Sequence, residues 1–461
     1  MHHPPQSLFD IYILSLPRGH GFGNSPPYEA WESEDRNACG IVTRNSDNGT
    51  FGVIVMRRRI DGVWTVISEQ TGLESLVAGR DIAHRLMKEG EPQEPLPPRT
   101  KARAALHDLQ GHQPTSIHKL LASPTHHRGV WLMNQLYLAL PNPDPNWATD
   151  FHTGNFHTRM WELHLLGAFR EQGLLVSQPH PSPDFRIENR NGGVGWVEAV
   201  TANPPEPYDH VNTKPRPAPA GIQELMLGPA AERFAKTIGS KLQRRYTDLA
   251  HVTGTPFAIA LADFHAPASM VWSRNALIGY LYGIDIGSQE SAGQPEYFLK
   301  RAGKLVGNAK MPIGLFCNEQ HSELSAIIFT NTCTTAKFNR VAISAGALSE
   351  NFRYTRIGAF FDRSPKAFKG IPFCLDVASE EYRALWPQGY EPWCADVEVF
   401  HNPFAQHPFP RQLLPEFTHW FQANGELGSE AHYETSILYS ITLIQNKGDR
   451  ILTLDDLGML Q

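Results

Sequence analysis

Apolar and polar positions along the chain fall into stretches of distinct period, separated by clusters of proline. Between 51 and 67, "FGVIVMRRRIDGVWTVI" alternates around Asp61-Gly62, the pattern of two antiparallel strands joined by a tight turn. "LESLVAGRDIAHRLMKEG" follows with helical spacing and stops at Gly90. Proline runs at 91–99, 140–147 and 203–221 interrupt the pattern, because proline can neither continue a helix nor serve a central strand. After the second run, "FHTRMWELHLLGAFREQG" (156–173) has helical spacing, and "LLVSQPHPSPDFRI" and "VGWVEAVTA" predict short strands. "GPAAERFAKTIGSKLQRRYTDLAHV" (228–252) predicts a second helix, and "PFAIALADF" (256–264) a strand behind it. The expected order in this block is helix, strand, strand, strand, helix, strand. Beyond 271, apolar strands such as "SAIIFTN" mix with Trp- and Tyr-rich stretches.

Three regions follow from this: an N-terminal α+β domain over 1–145, an α/β core over 150–270, and a C-terminal α/β region over 271–461 packed on that core. A length of 461 residues agrees with two or three domains. With 41% hydrophobic and 19% charged residues, most of the chain is expected to bury a core. Five cysteines form no CxxC pair and leave one odd, which disfavours a disulfide framework and a structural zinc site and leaves buried thiols. A net charge of −6 gives no global positive field, so nucleic-acid binding requires a local basic patch. No apolar run is long enough to span a bilayer, and the N-terminus lacks the pattern of a signal peptide; a soluble, cytoplasmic protein is expected. Internal repeats, Walker A loops, GxGxxG and GxSxG are all missing.

The candidate chemistry lies in the core block. On a helical wheel Glu162 falls between Phe169 and Leu166 on the apolar arc, where a carboxylate is costly unless paired or bound to a cation. Its bland alternative is a buried acid paired with a nearby Arg, Lys or His. Asp184 follows Pro183 at the start of a strand, and Glu198 shares a strand face with Trp196 and Val200. The Asn-Gly-Gly turn at 191–193 lets these strands pair and brings both acids to one rim. Two readings fit them: oxygen ligands for a hard dication, or solvated strand ends.

Glu162 on a helix, Pro183-Asp184 at a strand and Glu198-Ala199-Val200 on the next strand, followed by a helix and a strand, resemble the core of the PD-(D/E)XK nuclease superfamily. The resemblance covers about 157–264, less than a quarter of the chain. It implies a restriction-endonuclease-like α/β sandwich with a mixed central sheet and magnesium- or manganese-dependent hydrolysis of DNA phosphodiesters. It further implies metal ligation by Asp184 and Glu198 with Glu162 assisting. By analogy, a restriction, repair or phage-defence component is implied. The family's lysine falls at position 200, where this chain has Val200, so a catalytically inactive nucleic-acid- or protein-binding module is the alternative.

The following helix is basic, with Arg233, Lys236, Lys241, Arg244 and Arg245 against the single acid Glu232 between 228 and 246. Lys241 is the candidate replacement cation, with Lys236 next. Lys236, Lys241, Arg244 and Arg245 are candidate phosphate contacts, the alternative being a solvated face. A DNA partner is expected, with a homo-oligomer or protein partner also open. Asp263 and His265 follow a central strand and are expected as a cap and a ring packed on Trp272; His401 and His407 match no zinc spacing and are expected in a surface loop.

Overall fold

The computed structural model describes residues 1–13, 24–109, 111, 113–204, 209, 212–213, 218–291, 294–301, 305–306, 311–364, 370–423 and 426–456. At the N-terminus, α1 (Gln6–Ile13) precedes a four-stranded antiparallel sheet of β1 (Pro27–Glu32), β2 (Ala38–Arg44), β3 (Phe51–Arg58) and β4 (Trp64–Leu73). The expected hairpin is β3–β4, and Gly62 in its turn has φ of +82°, the left-handed region glycine enters without steric cost. α2 (Leu76–Lys88) is capped by the Ser75 side chain and packs Ala83 and Met87 on Val53 and Val55.

Residues 116–151 form α3 (Ser116–Leu121), α4 (His127–Ala139) and α5 (Trp147–Phe151), none of them anticipated from the sequence pattern. The core block then follows the expected order: α6 (Phe156–Glu171), β5 (Leu175–Ser177), β6 (Phe185–Glu188), β7 (Val194–Ala202), the short α7 (Ile222–Leu227), α8 (Pro229–Leu242) and β8 (Phe257–Asp263). The second helix is shorter than its pattern. It ends at Leu242, and Arg245 at φ +52° turns the chain into a single 3-10 turn, Tyr246–Asp248.

Downstream come α9 (Arg274–Tyr282), a hairpin of β9 (Ile284–Ser291) and β10 (Gln294–Arg301), and the short pair β11 (Leu305–Val306) and β12 (Met311–Pro312). β13 (Ala326–Thr330), α10 (Thr335–Ser344), β14 (Phe352–Phe360), β15 (Ile371–Asp376), α11 (Glu380–Arg383), β16 (Val397–His401), β17 (Thr418–Ala423), β18 (Glu426–Glu430) and β19 (Ile437–Asn446) complete the chain.

Eight of these strands form one mixed sheet in the order β18-β17-β16-β13-β8-β7-β6-β5, so the fold is mixed α/β. β7, β8 and β13 run parallel, while β6 and β16 flank them antiparallel. The sheet crosses position 270: strands from 175–263 and from 326–430 share its hydrogen-bond ladder. β8 is buried along its whole length, as expected of a strand covered on both faces. One face packs against α6 and α4 through Trp161, Leu165, Phe169 and Leu136, and the other against α8 and α9 through Ala231, Phe234, Ile238 and Leu277. The Trp161 indole also donates to the Ala260 carbonyl at 2.9 Å, tying α6 to the sheet. β14, β15 and β19 make a separate three-stranded sheet. No helix among the described residues is long and apolar enough to cross a membrane.

Candidate active site

β6 and β7 pair with Phe185 opposite Val197. One register step further, Asp184 stands across from Glu198, and the Ala199 N–H donates to Asp184 Oδ2 at 2.7 Å. Alternation along β7 sends Val197 and Ala199 toward the α6 layer and Trp196 and Val200 toward the α8 layer. Glu198 shares the latter face and is 4% exposed. A charge buried that far from water needs a partner.

The partner comes from the last turn of α8, where Lys241 Nζ lies 2.5 Å from Glu198 Oε1. The turn after the helix adds a second donor, the Tyr246 hydroxyl at 2.6 Å from the same oxygen. Arg244 in turn donates to the Tyr246 oxygen at 3.4 Å. Both donors therefore converge on Oε1, and buried Glu198 Oε2 has no hydrogen-bond partner. The sequence pattern carries the second helix on to 252, straight through Tyr246. No glycine or proline marks the break at Arg245, so nothing in the local pattern would have redirected it.

Burial, then the charges of Glu198 and Glu162, raise the Asp184 carboxyl well above its ordinary value, opposed by the Ala199 N–H and by Lys241. Glu162 lies on α6, and burial pushes its pKa up to about 7 against the pull of Arg159 and Trp147. The Trp147 indole donates to Glu162 Oε2 at 2.6 Å and Arg159 Nη1 to Oε1 at 3.0 Å. Arg159 also bonds Asp144 and Asp150, each at 2.5 Å. The structure thus pairs Lys241 with Glu198 directly and sets Asp184 across the strand from Glu198, where the charges of both act on it. Glu162 is near enough for its charge to act on Asp184, but its hydrogen bonds go to Arg159 and Trp147.

The donor chemistry fits a hard dication. Magnesium is commonly held by one or two carboxylates, with water and substrate oxygens completing its octahedron. Asp184 and Glu198 are such a pair, and the partnerless Oε2 is an oxygen whose capacity no protein group uses. Groups of three or more His, Cys, Asp or Glu arranged to hold a metal ion are not found among the described residues.

The other candidates are placed as follows. Val200 is half-buried and packs in the apolar layer beneath α8. Lys236, Arg244 and Arg245 are exposed, and Arg245 pairs with Asp248 at 2.7 Å. Asp263 accepts from the His265 backbone N–H at 3.0 Å, lies 2.7 Å from His265 Nδ1 and accepts from the Ser273 hydroxyl at 2.5 Å; His265 meets Trp272 edge-on. His401 differs from its loop expectation: it ends β16 and lies 2.8 Å from His419 through their ring nitrogens. All five cysteines are free thiols. No protein-family model matches this chain, and no curated protein or solved structure matches it.

Proposed function

We propose that the protein is a metal-dependent nuclease that hydrolyses DNA phosphodiester bonds at Asp184 and Glu198, on a restriction-endonuclease-like core. The observation that supports this most is the contact of Lys241 with Glu198, 2.5 Å apart. It places a cation from α8 beside the acid pair, where position 200 on β7 carries a valine.

Asp184 and Glu198 would hold magnesium or manganese, which when bound supplies positive charge at the attacked phosphate and makes nearby water more acidic. Lys241 offers an ammonium next to the same carboxylate, positioned for a phosphate oxygen. Tyr246 holds Glu198 Oε1 so that Oε2 is the oxygen turned to a ligand. Arg244 and Lys236, exposed beyond the site, offer contacts to the nucleic-acid backbone.

The test is cleavage of plasmid, single-stranded and duplex DNA by the full chain, with Mg²⁺ or Mn²⁺ against EDTA. Cation-dependent cleavage that Asp184→Asn and Glu198→Gln abolish, with DNA binding retained, is the expected outcome. A second reading, a DNA- or protein-binding module without catalysis, draws support from Val200 and from Lys241 neutralising Glu198 without any metal. DNA binding by the wild type without cleavage under either cation would select it.

A further inference from the structure

Beside the acid pair lies a stack of rings that the proposed chemistry does not use. Trp196 shares the β7 face with Glu198, two residues and about 7 Å along the strand. It is 3% exposed and forms the floor. The His251 ring leans on it at 4.9 Å, held by a 2.9 Å contact between Nε2 and the Ser182 carbonyl. His180 covers His251 nearly in parallel, with centroids 3.7 Å apart and planes at 17°. His180 is exposed, and its loop leads directly into Asp184. One face of its imidazole rests on His251, and the other is turned away from that stack.

We infer that the DNA presented to this site carries unpaired bases, and that His180 stacks on the base adjoining the attacked phosphate. This rests on the nuclease reading and narrows its substrate. A flat π surface accepts any base but only by its face, and in a duplex both faces of each base are covered by neighbours. A stacking ring on the loop that leads into a phosphate-cutting site therefore favours single strands, flaps or frayed ends. Exposed Lys236 on α8 and Arg244 in the turn after it supply the sequence-independent backbone contacts that such binding also requires.

The test uses the full chain carrying Glu198→Gln, a 5′-labelled 20-nucleotide strand, and the blunt duplex of the same sequence, read by fluorescence anisotropy. The single strand is expected to bind more tightly. His180→Ala should weaken single-strand binding about five- to hundredfold and leave duplex binding within about twofold. His180→Trp should restore it, and a strand with abasic sites throughout should be insensitive to all three side chains. Equal weakening on both DNA forms, unchanged single-strand affinity, failure of tryptophan to rescue, or no binding to either DNA would each overturn the inference. Cleavage by the wild type in Mg²⁺ reports on the underlying reading separately. Cutting without single-strand preference sinks the stacking role alone, whereas no cutting sinks the nuclease.

Discussion

Two buried glutamates, Glu198 and Glu391, show opposite ways of housing a charge. Glu391 is fully enclosed with Lys337 Nζ at 2.8 Å, Arg340 at 3.0 Å on each carboxylate oxygen and Arg356 at 3.5 Å. Tyr382 donates to it as well, at 2.5 Å. Burial alone would raise its carboxyl, but the charges of Arg340, Lys337 and Arg356 hold it well below the usual carboxylate range. Glu198 has one ammonium and one phenol, both on the same oxygen, with Asp184 as an acidic neighbour. The first carboxylate is over-supplied with positive charge and ties α10, β14 and the 391–396 segment together. The second is under-supplied, and that deficit is what a bound dication would fill.

Breaking the saturated cluster should have the largest effect. Glu391→Ala leaves three buried cations facing each other and should cost about 3–5 kcal/mol, read by urea unfolding. Lys241→Met, by contrast, should leave the fold cooperative but slow cleavage about 100- to 1,000-fold under saturating Mg²⁺. Asp184→Asn should raise stability by about 1–3 kcal/mol at pH 7.5 in EDTA, since it removes a like-charge and desolvation penalty.

The sign of that last effect can be followed with pH. A carboxyl whose folded pKa is raised favours the fold below the unfolded value, near 3.9, and that advantage is lost as pH rises toward the folded value. The gain from Asp184→Asn over wild type should therefore grow from about pH 4 upward and then level off. Mg²⁺ should protect the wild type better as pH rises, because the cation must displace the Asp184 proton. Tyr246→Phe should change cleavage less than Lys241→Met does. Losing one hydrogen bond to a charged group should cost about 1.5–3 kcal/mol, with cleavage down by about tenfold or less. Should Glu391→Ala prove mild and Asp184→Asn destabilising, the contrast between the two clusters fails.

Elements with a strong local signature were legible in the sequence. The β3–β4 hairpin carried its Asp61-Gly62 turn, and the order α6, β5, β6, β7, α8, β8 followed from period alone. The ladder joining β8 to β13, and β13 to β16, was not legible, because partners 67 to 75 residues apart leave no mark in either strand's own pattern. Among candidate site groups, Asp184 and Glu198 were named from residue type and spacing, and Lys241 only as a stand-in for the lysine that the nuclease resemblance lacks at Val200. Tyr246 was missed because Arg245 enters the left-handed region without glycine, so the helical period ran on past the true end of α8. The Glu391 cluster was invisible for the same reason as the ladder: its cations come from positions 337, 340 and 356.

The shared ladder has a practical consequence for anyone wishing to excise the acid-bearing segment. A fragment ending near 270 would strip β13 from β8 and leave "FAIALAD" as a naked, flat, uncharged border until its final residue. Such a border lacks the lysines, prolines and bulges that discourage strangers from pairing with it. The severed piece would be expected to clump, however sound its chemistry; a length reaching through β13 covers that margin, and one reaching through β18 completes the sheet.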